Sequence, residues 1–474
     1  MKLTFLLHAV LSVGLVSSVT LSALPTHAQT PQNSPTSLEI STDTHESFSL
    51  TIPPLGSTSN AQQRENRLMS HSELNPTGRF VKTGTQLTIE VTSEPNTELF
   101  LGIGMKGVYT DLNTGKDTGI TTHPLNPGKN LVTSSVDGMV YLINRSDSLT
   151  SKATITGGTP APFFRLHETS ENDWQTMLNT RGNSLFTEIQ GDRTFLTIRT
   201  DLVKKHLKKP AAELVSYFDT VVKLTNEVYG LQDNATGVAH KQKHRIHLAT
   251  PDTGGGYAHA TNGHLGFMTS TGAATDLLRG NIADQWGLWH EIGHTYQTPQ
   301  YRWDGLGEVT VNISSLYVQE KLGYPNRLSS RKADIKNFLS QVQNGRTYDE
   351  ENDLFVKLGL FEQLRIAYGD NFFPRLSQEY RVHNALHQSE SNTSTQQQQL
   401  ILNASRVAQR DLSTYFKNWG LTVSAETAQK LAEFPLSQFP FGTISFQIKR
   451  LLTALSPNIH FHEDPSTPHH TLSS

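Results

Sequence analysis

The chain has 474 residues, which is too long for one ordinary domain core, so two or three domains are expected. Its 40 basic and 43 acidic residues give a formal net charge of -3, which excludes the strongly basic surface that binds nucleic acid or an anionic membrane. The absence of cysteine excludes disulfides and thiolate chemistry, so any metal site must use His, Asp or Glu.

The first 28 residues have the layout of a secretory signal peptide. Lys2 gives a short basic start, an apolar run extends from Leu3 to about Val19, and small or polar residues lead to a cleavage point after Ala28. The alternative is a single membrane anchor, but the run is short for a span and polar residues interrupt it. We therefore expect a secreted, extracellular chain with no membrane span, and the lack of disulfides favours a bacterial source.

Residues 29–45 are rich in Ser, Thr, Pro and Gln, which is typical of a linker. From 46 to 156 the apolar residues recur with a period of two. In "QLTIEVTSE", for example, Leu87, Ile89 and Val91 alternate with polar residues, as they do in a strand with one buried face. Turns containing Gly, Asn, Asp or Pro separate such segments, so this region is predicted to be a β-sandwich domain.

Residues 157–350 mix strand and helix patterns, and the Gly- and Pro-containing "ITGGTPAPFFRL" marks the boundary before them. An amphipathic helix is predicted for 210–231, and the Gly-rich "GGGYAHATNGHLGFMTS" (254–270) is typical of an edge strand or hairpin beside a cleft. Residues 351–456 are predicted to be a helical subdomain, with a polar loop at 389–399, and residues 457–474 a disordered tail. The predicted fold class is multidomain α+β.

The segment "WHEIGHTYQ" places two histidines four residues apart. On a helix both imidazoles project from one face and can share a tetrahedral ion, while Glu291 lies close enough to reach a water at that ion. This is the arrangement of metal-assisted hydrolysis, with Glu291 as the general base. The bare pattern arises by chance in roughly one in twenty chains of this length, so its context decides.

Catalytic zinc usually has a third protein ligand, and "GLGEVTVNISSLYVQEKLG" offers Glu308 in a second predicted helix. Asp304, in the connecting loop, and Glu320, three turns along the second helix, are alternatives. We favour Glu308, because the third-histidine spacing of other zincins is absent. Asn312 follows Glu308 by four residues and could accept a hydrogen bond from a ligand histidine.

The residues "HEIGHTYQ" followed by "GEVTVNISSLY" resemble the enhancin-like family of gluzincin-type zinc metallopeptidases, whose bacterial members include mucin-type O-glycoprotein peptidases. The segments "GGTPAPFFRL" with "ENDW", "GGGYAHATNGHLGFMTS" and "LFVKLGLFEQLRIAYGDNFFPRLSQEYR" are also similar to the family, so the likeness covers roughly residues 46–435. The resemblance implies a zincin-like α/β peptidase domain over 157–350, with HExxH on its active-site helix.

Carried over to this sequence, the resemblance implies that His290, His294 and Glu308 bind one Zn²⁺ per chain and that Glu291 is the general base. The implied reaction is hydrolysis of a peptide bond next to a Ser or Thr that bears an O-glycan, in mucin-like protein substrates. We expect no nucleic-acid partner.

The Gly-rich segment could pair with an extended substrate and leave room for a glycan. Its candidate substrate contacts are Gly256, Tyr257 and His259, and Tyr317 or a residue of this strand is a candidate oxyanion donor. Two other functions stay open. One is a secreted zinc endopeptidase without glycan dependence, and the other is a secreted carbohydrate-binding module with an inactive metal site.

Overall fold

The computed structural model describes residues 47–280, 285–383 and 392–437. The predicted signal peptide (1–28), linker (29–45) and tail (457–474) therefore lie outside the described residues. All described residues belong to one compact unit. Within the described ranges, no helix combines the length and the apolar character needed to cross a membrane.

The described residues form strands and helices in the following order. The strands are β1 Ser47–Ile52, β2 Asn75–Val81, β3 Gln86–Thr92, β4 Leu99–Met105, β5 Gly119–Leu125, β6 Gly128–Thr133, β7 Gly138–Asn144, β8 Ser151–Thr156, β9 Thr159–Pro160, β10 Phe163–Arg165, β11 Phe186–Gln190, β12 Thr194–Arg199, β13 Ile246–Ala249, β14 Ala258–Thr261 and β15 His264–Phe267. The helices are α1 Thr58–Glu65, α2 Glu171–Thr180, α3 Thr200–His206, α4 Ala211–Val228, α5 Ala273–Leu277, α6 Trp286–Tyr296, α7 Gly307–Thr310, α8 Asn312–Lys321, α9 Lys332–Val342, α10 Leu354–Tyr368, α11 Phe372–His383, α12 Thr393–Ala408, α13 Ser413–Asn418 and α14 Ala425–Leu431.

The first nine strands form two sheets that pack against each other. One has the order β1-β8-β3-β6 and the other the order β5-β4-β7-β2-β9. Leu87 on β3 and Leu101 on β4 belong to one buried apolar cluster, to which both sheets contribute. The alternation in β3 produces this packing, because its apolar side chains are buried while Gln86, Glu90 and Thr92 are exposed.

The five-stranded sheet is covered on both faces, which explains why every residue of β7 is buried. Val140 and Leu142 face the four-stranded sheet, whereas Tyr141 joins a second apolar cluster with Phe186 and Phe195 of the next sheet. The sheets on the two sides of the expected boundary at residue 156 therefore share a core. The predicted division into domains stays a prediction.

The third sheet has six strands in the order β10-β11-β12-β13-β15-β14. The strands β12, β13 and β15 run parallel, and β14 pairs antiparallel with β15 at one end of the sheet. Leu196, Leu248 and Leu265 form one apolar core with residues of the helices, including Phe218 on α4 and Trp289 on α6. The result is a mixed α/β protein in which β14 is an edge strand beside α6, and the multidomain layout of the predicted α+β class stays a prediction.

The structure corrects the loop expected at 389–399 over residues 393–399, which are helical, while residues 389–391 lie outside the described residues. Helix α12 begins at Thr393, and the side chain of Asn392 caps it by accepting hydrogen bonds from the backbone N–H groups of Ser394 and Thr395. The polar Gln residues belong to an amphipathic helix whose Leu400 and Ile401 are fully buried. The first half of this helix has few apolar residues, so the sequence pattern did not indicate that the segment has a buried apolar face.

Candidate metal centre

The structure brings together the three residues that the sequence assigns as metal ligands. His290 Nε2 lies 3.0 Å from His294 Nε2 and 3.0 Å from Glu308 Oε2, and His294 Nε2 lies 3.5 Å from the same carboxylate oxygen. One ligand atom from each residue lies within 4.8 Å of the others. Among the residues that the structure describes, this is the only group of three or more potential metal-ligand side chains with such spacing.

Helix α6 is held in place by the face that points away from the ligands. Trp289 Nε1 donates a hydrogen bond of 2.8 Å to the hydroxyl of Tyr217, and the hydroxyl of Tyr296 donates one of 2.7 Å to Asn226 Oδ1. Both acceptors belong to α4. Because Trp289 and Tyr296 are fully buried, they fix the rotation of α6 about its axis, and His290 is directed into the cleft.

Gly293, the glycine of "HEIGH", permits a close approach of α8 to α6. A Cβ atom at this position would lie 2.7 Å from the carbonyl oxygen of Val311 and 2.9 Å from Ser314 Oγ. Any larger residue would therefore push the two helices apart. This approach places Glu308, one turn before α8, within reach of the histidines.

The outer nitrogen of His290 is hydrogen-bonded to Asn312. His290 Nδ1 lies 2.8 Å from Asn312 Oδ1, and the Asn312 side-chain amide donates to the backbone carbonyl of Glu308 at 2.9 Å. The second bond orients the amide so that its oxygen faces the imidazole. His290 therefore carries its proton on Nδ1, which leaves the lone pair of Nε2 for a metal ion.

Gln297 plays the same role for His294, a role that was not predicted from the sequence. Its Oε1 lies 2.8 Å from His294 Nδ1, while its Nε2 donates to the carbonyl of Gly307 at 2.8 Å and to Thr310 Oγ1 at 2.7 Å. These two acceptors orient the Gln297 amide, which fixes the proton of His294 on Nδ1. The signal in the sequence was a Gln three residues after the second histidine.

The pKa values of three side chains in this group, Glu291, His290 and Glu308, are shifted. Burial raises the pKa of the Glu291 carboxyl, against the opposing effect of His290 and His294. Burial would lower the pKa of His290, but hydrogen bonds to Glu308 and Asn312 raise it overall. When they are protonated, the two histidines donate hydrogen bonds to Glu308 that lower its pKa, so this group remains a carboxylate ready to bind a cation.

The three candidate ligands line a cleft of about 280 Å³ that is also lined by Glu291 and by residues 258–260 of β14. Two further residues that were not predicted from the sequence line it, Met69 from the segment between α1 and β2 and Arg302 from the segment between α6 and α7. A larger cavity of about 740 Å³ lies along α4 and contains none of the ligands. The chemistry of the side chains, rather than the size of a cavity, therefore identifies the site.

The candidate substrate contacts on the Gly-rich segment have different locations. Tyr257 is 45% exposed, its hydroxyl donates to Asp276, and its ring lies against Gly287 near the start of α6. His259 lines the cleft, but its imidazole lies against Gly266 on the sheet face opposite α6. Side chains alternate between the two faces of a strand. Because Ala258 and Ala260 pack towards the helices, the side chain of His259 points to the opposite face of the sheet.

The remaining candidates lie outside the cleft. Gly256 is an exposed loop residue with a positive φ of 70°. Tyr317 donates a hydrogen bond of 3.0 Å to Glu227 on α4 and does not line the cleft. Of the two alternatives to Glu308, Asp304 is exposed in the connecting segment, and Glu320 pairs with Arg365 at 2.6 Å.

The residues present fit a catalytic zinc ion. Two imidazole nitrogens and one carboxylate are a frequent ligand set for catalytic zinc, which keeps a fourth position for water or substrate. Both histidines have hydrogen-bonded Nδ1 atoms, as metal-bound histidines generally do. The nearby Glu291 is 7% exposed and lines the same cleft, where a base is required.

Comparisons with known proteins identify a family and a shared fold. The sequence profile of the family described as Peptidase M60, enhancin and enhancin-like, matches residues 157–420. A functionally unknown conserved protein from Bacillus anthracis has a similar structure, with a TM-score of 0.76, 30% identity and coverage of 84% of this chain and 81% of that chain. A metallopeptidase in complex with Tn antigen has a TM-score of 0.71 at 20% identity, covering 83% of this chain and 79% of its own.

A curated relative is TRPM8 channel-associated factor 3 of Rattus norvegicus, which is 24% identical over 309 residues. The match includes 63% of this chain and 32% of the relative. The chain thus spans about a third of the length of the curated relatives that it matches.

Proposed function

The chain belongs to the M60, enhancin and enhancin-like family of metallopeptidases, and from this premise we propose that it is a zinc endopeptidase that cleaves O-glycosylated, mucin-like proteins. The observation that carries the proposal is the convergence of His290, His294 and Glu308 in a cleft that also holds Glu291. Family membership implies a metal cofactor, and the ligand set favours zinc.

In the proposed reaction the chain's own residues orient the ligands and move a proton. Zinc would supply Lewis acidity to the attacking water and to the scissile carbonyl. Glu291 takes a proton from the attacking water and passes it to the nitrogen of the leaving amine. Its raised pKa suits both steps, because a carboxyl with a pKa nearer to neutral holds the transferred proton more readily. Asn312 and Gln297 keep the two imidazoles in the orientation that the metal requires.

The edge strand β14 gives the substrate a place to bind. Its outer edge has no partner strand among the described residues, and its residues Ala258, His259 and Ala260 line the cleft. We expect an extended substrate to add to the sheet at this edge, which would bring a peptide carbonyl to the metal centre. The alanines at 258 and 260 have small side chains, so the substrate backbone can approach closely.

Tyr257 is the contact that we propose for the glycan. Its ring lies one helical turn from the ligands, because it packs against Gly287, three residues before His290. The bond from its hydroxyl to Asp276 restricts the ring, which leaves an exposed apolar face for a sugar. That a similarly folded metallopeptidase was solved with Tn antigen supports this proposal.

The proposal is tested with the Glu291→Gln protein and a defined O-glycoprotein. We expect the wild type to contain one zinc per chain and to cleave, and Glu291→Gln to retain zinc and lose cleavage. Glu213→Gln, an exposed change on α4, is the matched control and should cleave normally. Normal cleavage by Glu291→Gln would contradict the proposed role of the base.

Glycan dependence is tested separately by treating the same substrate with an O-glycosidase. We expect cleavage to fall sharply once the glycan is removed, because Tyr257 then lacks its ligand. Undiminished cleavage of the bare protein would instead favour a glycan-independent endopeptidase. Glycan binding without turnover by zinc-loaded protein would favour the carbohydrate-binding alternative.

A further inference from the structure

Arg302 is a cationic residue in the cleft that the proposed reaction does not use. Its neighbours in sequence, Tyr301 and Trp303, are buried in the core and only 1% and 3% exposed, so the backbone of Arg302 is fixed on both sides. The side chain between them enters the cleft. Its guanidinium lies against Gly307, where a Cβ atom would come within 2.8 Å of Nη2, and Gly307 directly precedes Glu308.

The guanidinium of Arg302 has no acceptor within the described ranges of the chain. Its Nε is shielded from solvent and forms no hydrogen bond, and no carboxylate of a described residue, including that of Glu308, pairs with the side chain. Other largely shielded arginines differ. Arg365 pairs with Glu362 and Glu320, and Arg199 with Asp252. A partly desolvated cation without an acceptor is costly, which is the condition expected of a group that awaits a ligand.

The charge of the loaded site points to the kind of ligand. With zinc bound, the carboxylates of Glu308 and Glu291 balance the charge of the ion, and Arg302 then leaves the cleft positive. A neutral peptide would leave that charge unpaired. A carboxylate would pair with it, and the planar fork of a guanidinium can bind both oxygens of a carboxylate.

We propose that Arg302 is a specificity-determining residue that binds a carboxylate of the substrate beside the bond to be cleaved. The inference rests on the proposed function and narrows its substrate class to O-glycoproteins that carry an acid near the cleavage site. The carboxylate has two possible sources with the same chemistry. It belongs either to an acidic sugar of the O-glycan or to an Asp or Glu side chain next to the glycosylated residue.

The experiment measures binding rather than turnover, with zinc-loaded Glu291→Gln protein and calorimetric titration. Three O-glycopeptides of one sequence are compared, all with amidated C-termini so that the chain end adds no carboxylate. The first has a neutral glycan and no acidic residue. The second carries an acidic sugar on the same glycan, and the third has Asp in place of Asn beside the glycosylated residue. Each is titrated into proteins with Arg302, Arg302→Gln and Arg302→Lys, and into Arg410→Gln as an exposed control.

We expect at least one acidic peptide to bind about tenfold more tightly than the neutral one, as a paired guanidinium and carboxylate predict. Arg302→Gln should reduce that ratio to near one, Arg302→Lys should retain part of it, and Arg410→Gln all of it. The peptide that shows the preference identifies the source of the carboxylate.

Three results would overturn the inference. The first is equal affinity for acidic and neutral peptides. The second is an equal loss of affinity for all three peptides in Arg302→Gln, which a role of Arg302 at the oxyanion would produce. The third is that no peptide binds. Cleavage is scored separately, with the wild-type protein and O-glycoproteins. Failure of the wild type to cleave any of them would refute the proposed function, whereas a missing carboxylate preference in a cleaving enzyme would refute only the role of Arg302.

Discussion

The Nδ1 atom of His294 lies 2.8 Å from Oε1 of Gln297, the residue that directly follows α6. The same Gln297 amide donates to the carbonyl of Gly307 and to Thr310 Oγ1, both on α7. One side chain therefore orients a metal ligand and also ties α6 to the helix that carries Glu308. Without this side chain, the imidazole of His294 loses its fixed tautomer, and α7, which carries Glu308, loses two hydrogen bonds to Gln297.

We expect Gln297→Ala to weaken zinc binding by about 10- to 100-fold, the usual effect of removing the hydrogen-bond partner of a metal-bound histidine. Competition with a chromophoric chelator measures the affinity. Gln343→Ala, at an exposed position after α9, is the control and should bind zinc as the wild type does. An unchanged affinity in Gln297→Ala would show that His294 needs no such partner.

Gly293→Ala tests whether the close approach of α6 and α8 matters. The added methyl group would meet the Val311 carbonyl and Ser314 Oγ, so we expect the free energy of unfolding to fall by about 1–3 kcal/mol, the usual cost of overpacking a core. Urea denaturation measures it. Gly287→Ala makes the same change on the same helix, but there the methyl group would meet only the ring of Tyr257 at 3.1 Å.

Both variants add one methyl group to α6, and Gly293→Ala, in the helix interior, has at least as much helix propensity to gain as Gly287→Ala, so a lower stability of Gly293→Ala reports the packing of α6 against α8. We expect Gly287→Ala to be the more stable of the two. Equal stabilities would mean that α8 moves away from α6 at little cost.

Local periodicity explains why much of the fold and of the site could be predicted from the sequence. Histidines four residues apart share a helical face, and Asn312 likewise follows Glu308 by four residues, so the spacing alone reveals both pairs. The alternation of Leu87, Ile89 and Val91 likewise predicted a strand with one buried face.

The parts that the sequence could not predict depend on contacts between distant segments. Met69 reaches the cleft from the segment that follows α1, which no local pattern reveals. His259 was a candidate substrate contact, but the packing of the sheet decides which side of β14 faces α6. The composition around Gln397 indicated a polar loop, whereas this residue is buried in α12 and bonds to Asp349 at 2.9 Å. From the sequence alone, a Gln side chain is expected to be exposed to solvent, because the buried partner of its hydrogen bond is not apparent.

Zinc should stabilise the folded protein, because the ligand set exists only when α6 and α7 are packed together. At free zinc about 1,000-fold above Kd, we expect the free energy of unfolding to rise by about 4 kcal/mol over that of chelator-treated protein. The thermal midpoint with and without zinc measures the effect. His294→Ala should lose the shift, whereas His206→Ala, at the end of α3, should retain it. If zinc raised the thermal midpoint of His294→Ala as much as that of the wild type, the metal would have to bind at another site.

A buried charge cluster fastens the segment after α1 to the C-terminal end of α6. Glu65 pairs with Arg67 at 2.6 Å and with Lys241 at 3.3 Å, and all three side chains are almost completely buried. Next to this cluster, the backbone N–H groups of Leu68 and Met69 donate to the carbonyls of Gln297 and Thr295. These bonds satisfy carbonyls that the end of a helix leaves without partners.

Glu65→Gln should therefore lower the free energy of unfolding by about 3–5 kcal/mol, because the guanidinium of Arg67 would remain buried without its counter-charge. Burial would raise the pKa of Glu65, but Lys241, Arg67 and the Gln242 N–H lower it to about 2. A lowered pKa stabilises the fold above the unfolded-state value near ~4.3, and this contribution is lost as the pH falls towards 2. Wild-type stability should thus decline between those pH values, and more steeply than that of Glu65→Gln. Urea denaturation across this pH range measures both effects, with the exposed change Glu90→Gln as the control. Parallel pH profiles of stability for the wild type and Glu65→Gln would contradict the stabilising role of the Glu65 carboxylate.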